Sequence, residues 1–165
     1  MDEVQNLSGS SLGQYQLLEQ IGLGGMATVY RAYQPSLRRE VAIKVLSAAL
    51  AQQPGYMERF NREAEMAAAL EHPNIVPIYD YGVQDGIGYV VMRLLMGGTL
   101  AERVSRRAYA GGQPPSLGEV ADLLKQLASA LDYAHRRGVI HRDIKPSNIM
   151  FDDQGRAYLM DFGIA

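Results

Sequence analysis

Two different hydrophobic patterns divide this chain near Met92. Before it, short β-prone runs such as ATVYRAY and EVAIKVL are separated by breaks that contain glycine or proline, which is typical of an antiparallel meander. After it, apolar residues recur at helical spacing. Strands followed by helices predict an α+β chain in two lobes, joined at residues 93–98.

The first part of the chain predicts at least five strands and one helix at roughly 56–70. The apolar residues of that helix recur three or four positions apart: Phe60, Ala64, Ala67 and Leu70. Residues 1–13 are polar and small, so we expect a flexible leader there. The predicted lobes are therefore residues 14–92 and 99–165.

Each helical segment after Met92 begins with a capping box, Thr99 with Glu102 and Ser116 with Glu119. The longer helix carries an apolar stripe formed by Val120, Leu124, Leu127, Leu131 and Ala134. Residues 148–162 alternate around a polar turn, which predicts a hairpin.

Composition and charge exclude several classes of function. The formal net charge is -2, from 16 basic and 18 acidic residues that form no cluster, so nucleic acid is not expected as a partner. The chain has no cysteine, which fits a reducing compartment, and we expect a cytoplasmic location. No run of about 18 apolar residues is present, so no membrane segment is expected in these residues.

The stretch IGLGGMATVY places glycines at positions 22, 24 and 25 between two predicted strands. Glycines allow backbone N–H groups to approach a phosphate closely. An ordinary glycine-rich hairpin explains this stretch at least as well. Because the stretch leads from strand to strand, it is neither a Rossmann fingerprint nor a Walker loop.

Lys44 and Glu63 are candidates for an ion pair. Lys44 shares a strand face with Ala42, and Glu63 lies beside Phe60 on the apolar face of the predicted helix. An unpaired carboxylate there would be costly to desolvate, so an inward lysine is a natural partner. Solvated positions at the edges of the two elements explain the spacing equally well.

The stretch VIHRDIKPSNIMF concentrates reactive side chains in one loop. Asp143 can accept a proton from an attacking hydroxyl, Lys145 can neutralise phosphate charge, and Asn148 can bind a divalent cation through its amide oxygen. Asp161, at the end of the predicted hairpin, supplies a second oxygen ligand. The competing interpretation is a solvated charged loop, which explains so many functional side chains poorly.

The order of these motifs resembles the signature set of protein kinases: a strand-flanked glycine loop, VAIK, HRD with Asn148 five residues after Asp143, and DFG. The chain is similar to eukaryotic-type Ser/Thr protein kinases of the bacterial branch over about residues 15–165. The resemblance implies a bilobal protein-kinase-like fold, with a complete five-stranded antiparallel N-lobe, one helix, and a partial helical C-lobe. It also implies transfer of the ATP γ-phosphoryl group to Ser/Thr hydroxyls of a protein substrate, with Mg²⁺.

The resemblance further assigns roles to residues. The implied ATP contacts are Ile21, Gly22, Leu23, Gly24, Gly25, Met26, Ala27, Thr28, Val29, Ala42, Lys44, Met92, Arg93, Leu95 and Met150. Met92 would be the gatekeeper and Lys44 would contact the α- and β-phosphates and pair with Glu63. Asp143 would be the catalytic base with Lys145 beside it, and Asn148 and Asp161 would bind Mg²⁺.

Two departures from the family pattern stand out. Ala27 replaces the third loop glycine, which should restrict the backbone only slightly. In the family, DFG opens the activation segment and the peptide-binding helices follow, so the resemblance implies that residues 1–165 are the amino-terminal portion of a catalytic domain. We therefore expect these residues alone to transfer phosphate to protein near background. The alternatives are a nucleotide-binding module without phosphotransfer and a small-molecule kinase, against which the complete HRDIKPSN loop argues.

Overall fold

A computed structural model describes residues 6–23 and 27–162 of the chain. They form two compact units. Unit 1 contains the described residues up to Ala68 together with Ile78–Leu94. Unit 2 contains Ala69–Pro77 and the described residues from Leu95 onward.

Unit 1 is an antiparallel sheet with two helices. Its strands are β1 Ser11–Leu12, β2 Tyr15–Leu23, β3 Ala27–Gln34, β4 Arg39–Leu46, β5 Ile78–Gln84 and β6 Ile87–Met92. They are arranged in the order β1-β2-β3-β4-β6-β5. Its helices are α1 Ala48–Ala51 and α2 Tyr56–Ala68, and a 3₁₀ turn occupies Pro35–Leu37.

The apolar side chains of the strands form the core of unit 1. Tyr15, Tyr30 and Ile43 are almost completely buried within one cluster. The helix α2 buries the predicted residues Phe60, Ala64 and Ala67 and packs on β5 and β6. The helical periodicity thus correctly predicted which face of α2 meets the sheet.

The described residues of unit 1 form a six-stranded sheet, whereas five strands were predicted. The additional strand β1 lies within the stretch predicted as a flexible leader, where Leu12 pairs with Tyr15 and is 3% exposed. The leader prediction is therefore wrong for Ser11 and Leu12. The short helix α1 was also not predicted; the Ser47 side chain caps it by accepting a hydrogen bond from the Leu50 N–H.

Unit 2 is mainly helical. Its elements are α3 Leu100–Tyr109, α4 Leu117–Arg136, a 3₁₀ turn at Pro146–Asn148, and the antiparallel pair β7 Ile149–Phe151 and β8 Ala157–Leu159. Both predicted capping boxes are formed, at the starts of α3 and α4. Together with unit 1, this confirms the predicted α+β class, with antiparallel strands first and helices second.

The apolar stripe of α4 is only partly covered. Leu127, Ala130 and Ala134 are buried, and α4 packs against β8. Leu124, which belongs to the predicted stripe, is 58% exposed. None of the helices in the described ranges combines the length and hydropathy needed to span a membrane.

Candidate active site

The loop between α4 and β7 brings together the predicted catalytic residues Asp143 and Lys145 and the predicted metal ligand Asn148. The Lys145 Nζ atom lies 2.9 Å from Asp143 Oδ2. Asn148 Nδ2 donates to the same carboxylate oxygen at 3.0 Å and to the Asp143 carbonyl at 2.9 Å. The amide nitrogen of Asn148 thus faces Asp143, and none of the described residues donates a hydrogen bond to its amide oxygen.

These neighbours lower the pKa of the Asp143 carboxyl below its usual range. The hydrogen bond from Lys145 is the largest cause, and the positive charge of Lys145 and the hydrogen bond from Asn148 act in the same direction. Partial desolvation opposes them. Asp143 is therefore a carboxylate at neutral pH, able to accept hydrogen bonds but not to donate one.

His141 links this loop to the segment before Asp161. Its ring is 2% exposed; Nδ1 accepts from the Asp143 N–H at 3.2 Å, so Nε2 carries the proton and donates to the Met160 carbonyl at 2.5 Å. The Phe162 ring meets the imidazole edge-on, with centroids 4.6 Å apart. The sequence singled out His141 only as a member of the loop, and this connecting role was missed.

Two residues near the candidate site have positive φ angles, which are rare for residues other than glycine. Arg142 has φ 71° and Asp161 has φ 60°, both in the left-handed region. Such conformations persist where surrounding contacts impose them, and they concentrate at functional sites.

The strand β8, which leads to Asp161, is fixed by a buried polar network. Asn74 Nδ2 donates to the Ala157 carbonyl at 2.9 Å and to Gln126 Oε1 at 3.0 Å. Gln126 Oε1 also accepts the Ala157 N–H at 3.0 Å. The Leu159 N–H donates to the Asn74 carbonyl at 2.8 Å. The helix α4 and the segment Ala69–Pro77 therefore both set the position of β8.

The residues after the predicted junction pair with β7. The Gly97 N–H donates to the Phe151 carbonyl at 2.8 Å, and the Phe151 N–H donates to the Gly98 carbonyl at 3.0 Å. Arg103 Nε donates to the Gly97 carbonyl at 3.0 Å. These bonds fix β7, in which the predicted adenine contact Met150 is half-buried.

In unit 1, β2 and β3 form the hairpin predicted to cover the phosphates. Its described members are Ile21, Gly22 and Leu23 in β2 and Ala27, Thr28 and Val29 in β3. Gly22 lies opposite Val29, and Leu23 lies opposite Thr28. The predicted turn residues 24–26 lie outside the described residues.

Lys44 is half-buried in β4, opposite Val29 of β3 and Val90 of β6. Glu63 is half-buried in α2, on the helix that packs on β5 and β6. The ion pair between Lys44 and Glu63 stays a prediction.

The other predicted adenine contacts of unit 1 lie in the middle of β4 and at the end of its neighbour β6. Ala42 of β4 and Met92 of β6 are cross-strand partners and are both buried, at 5% and 3% exposure. Arg93 follows β6 and is half-buried. In unit 2, Leu95 is 4% exposed.

The fold and this loop define a protein kinase domain. Residues 15–165 match the family described as "Protein kinase domain", and the chain therefore belongs to that family.

Its relatives include bacterial serine/threonine-protein kinases. The chain is 46% identical over 153 residues to serine/threonine-protein kinase PrkC of Bacillus subtilis (strain 168), covering 93% of this chain and 23% of that protein. It is 40% identical over 161 residues to serine/threonine-protein kinase PknE of Mycobacterium tuberculosis (strain ATCC 25618 / H37Rv). That alignment covers 98% of this chain and 28% of PknE. The crystal structure of the Mycobacterium tuberculosis PknI kinase domain superimposes with a TM-score of 0.84 at 36% identity, covering 96% of this chain and 63% of that chain. The chain thus spans about a quarter of the length of these two curated relatives.

Proposed function

We propose that this chain binds Mg·ATP and forms the catalytic part of a serine/threonine protein kinase, which transfers the γ-phosphoryl group to protein hydroxyls. The observation that carries the proposal is the cluster at Asp143, where Lys145 and Asn148 both contact one carboxylate oxygen. Membership of the protein kinase family supports it.

In this proposal, Asp143 orients the acceptor hydroxyl and accepts its proton. Lys145, whose ammonium already lies 2.9 Å from that carboxylate, neutralises charge on the transferred phosphoryl group. Phosphoryl transfer depends mostly on positioning and on charge stabilisation, which this pair of side chains can supply.

The donor set fits Mg²⁺. Asn148 offers an amide oxygen to which no described residue donates a hydrogen bond, and Asp161 offers a carboxylate. Mg²⁺ in kinases is commonly held by one or two such oxygen ligands together with substrate phosphates. The described residues contain no cluster of three or more His, Cys, Asp or Glu side chains that could hold a metal ion. When bound, the ion neutralises phosphate charge.

The remaining assignments concern the nucleotide. Lys44 contacts the α- and β-phosphates and pairs with Glu63. The family resemblance assigns adenine contacts to Val29, Ala42, Met92 and Arg93 in unit 1 and, separately, to Leu95 and Met150 in unit 2. The strand pairing between Ala42 and Met92, both buried, supports the assignment of these two residues to one apolar surface.

Calorimetric titration of residues 1–165 with a non-hydrolysable Mg·ATP analogue tests nucleotide binding. We expect saturable binding that Lys44→Met and Asp161→Asn each weaken roughly tenfold or more, because each removes a charged contact. Lys125→Met removes an exposed lysine of α4 and should have no effect. Absence of saturable binding, or equal effects of Lys44→Met and Lys125→Met, would refute the proposal.

Phosphotransfer is tested with radiolabelled ATP in a chain that continues through a peptide-binding segment after residue 165. We expect transfer to Ser/Thr peptides that Asp143→Asn abolishes without abolishing nucleotide binding. Residues 1–165 alone should remain near background, because orienting the acceptor contributes roughly 7–11 kcal/mol. Nucleotide binding without transfer in the longer chain would favour the alternative of a binding module.

A further inference from the structure

A pocket of about 690 Å³ lies within unit 2, between α3, α4 and the loop that joins them. Its apolar walls include Leu100 and Val104 of α3, Leu123 of α4, Pro115 of the loop, and Phe151 of β7. Pockets of roughly 300–1,000 Å³ are typical of small-molecule sites. None of the residues assigned above to ATP, Mg²⁺ or phosphotransfer lines this pocket.

Arg103 places a positive charge in the wall of the pocket. Its guanidinium carbon lies 3.8 Å from the centroid of the Phe151 ring, and its Nε donates to the Gly97 carbonyl. These two contacts fix the plane of the guanidinium. Its two terminal nitrogens make no hydrogen bond within residues 27–162, and no carboxylate there forms an ion pair with it.

The other charged groups of the pocket are either paired with each other or exposed to solvent, whereas Arg103 is half-buried. Arg107, one turn further along α3, is paired with Glu119 at 3.4 Å. Asp122 is exposed at the rim, where water and salt screen its charge. The pocket therefore combines an apolar interior with one half-buried cation, Arg103, which forms no ion pair with a carboxylate among the described residues.

We propose that this α3–α4 pocket binds a small amphipathic anion, an aliphatic or aromatic body that carries one carboxylate. The carboxylate pairs with the terminal nitrogens of Arg103, because a guanidinium offers two parallel N–H donors that match a carboxylate. The apolar body lies against Leu100, Val104 and Leu123. Since Phe151 and Gly97 already hold the guanidinium, little side-chain freedom is lost on binding.

Ligands that share one tail but differ in charge provide the first test. Residues 1–165 are titrated with octanoate, octanol and octylammonium, and the methyl resonances of Val104 and Leu123 are followed by NMR. We expect octanoate to bind at one saturable site, octanol to bind at least roughly tenfold more weakly because it lacks a charge-assisted pair, and octylammonium more weakly still. Equal affinities for octanoate and octanol, or no saturation of these methyl shifts, would overturn the proposal.

Variants on α3 provide the second test. Arg103→Met keeps the apolar stem but removes the charge, and should weaken octanoate binding roughly tenfold or more and bring it close to that of octanol. Arg106→Met is the matched control: Arg106 lies on the same helix outside the pocket, with 75% of its side chain exposed, and its loss should change nothing. Equal effects of the two variants would count against the site.

A third variant addresses the case in which Arg103→Met does not fold. Val104 is 57% exposed, so Val104→Glu should fold and place a carboxylate beside Arg103. We expect this variant to exclude octanoate while octylammonium binding is retained or increased. Unchanged octanoate affinity in a folded Val104→Glu chain would contradict the proposal.

Discussion

Gly97→Ala should destabilise unit 2 although it adds only one methyl group. A Cβ atom at Gly97 would lie 2.4 Å from the Asp152 carbonyl oxygen and 2.6 Å from the Phe151 carbonyl oxygen. Ordinary contacts begin near 3.4 Å. Because both obstacles are backbone atoms, no change of side-chain rotamer relieves the clash, and the two segments must separate by about 1 Å.

The cost follows from the hydrogen bonds that this separation breaks. Gly97 and Phe151 are joined by an N–H to carbonyl bond of 2.8 Å, and Phe151 donates a second bond of 3.0 Å to Gly98. Net contributions of roughly 0.5–1.5 kcal/mol for each bond give a loss of about 1–3 kcal/mol. For a chain of this size, each kcal/mol lowers the melting temperature by about 2–4 °C.

Gly118→Ala is a control with the opposite expected sign. Gly118 lies in the first turn of α4. The atom nearest to a Cβ added at this position would be Ser116 Oγ at 3.7 Å, which is an ordinary contact. Alanine is a better helix former than glycine by up to about 1 kcal/mol, so this change should stabilise the helix.

Urea denaturation followed by circular dichroism compares the two variants, and hydrogen exchange of the Phe151 amide reports on the local bonds. We expect Gly97→Ala to lower the denaturation midpoint and to speed Phe151 exchange, and Gly118→Ala to raise the midpoint. A Gly97→Ala chain as stable as the original, with Phe151 still protected, would show that the close approach of the two backbones does not exist.

Three further predictions concern charge and exposed surface. Lys145→Met should raise the pKa of Asp143 toward its usual value, because the main cause of its depression is removed; carboxyl ¹³C NMR titration measures this, and an unchanged pKa would contradict the assignment. Burial and the hydrogen bond to Asp80 raise the pKa of Tyr15 to about 12. The resulting stability is present below about pH 10 and is lost as the pH rises toward 12, so Tyr15→Phe should remove this alkaline loss in melting experiments over that range. Leu124 is 58% exposed, so Leu124→Lys should reduce self-association at high protein concentration. Identical light scattering by the original chain and the variant would show that Leu124 does not belong to a self-association surface.

The elements that the sequence predicted well are those fixed by local contacts. Each capping box needs only one residue and the residue three positions later, as for Ser116 and Glu119. The buried face of α2 follows from spacing within one helix. The strand β1 depends instead on pairing with β2 and on burial of Leu12, and a two-residue strand has no periodicity to detect.

In the candidate site, too, local features were predictable and long-range contacts were not. The order of the motifs predicted that Asp143, Lys145 and Asn148 share one loop, and the structure places their contacts at 2.9–3.0 Å. The amide orientation of Asn148 and the role of His141 were not predictable, because they follow from hydrogen bonds. The bond from His141 reaches Met160, nineteen residues further along the chain.

These long-range bonds explain how Asp161 keeps an unfavourable backbone angle. A residue with φ near 60° costs on the order of 1–3 kcal/mol and relaxes unless its neighbours are held. Both backbone groups of Met160 are engaged, since its carbonyl accepts from His141 and its N–H donates to the Asn148 carbonyl at 3.0 Å. On the other side, the buried Phe162 ring packs on the His141 imidazole. Rotation of Asp161 to negative φ must therefore break a bond of Met160 or withdraw Phe162 from its contact, so the backbone angle of Asp161 is held in part by the loop between α4 and β7.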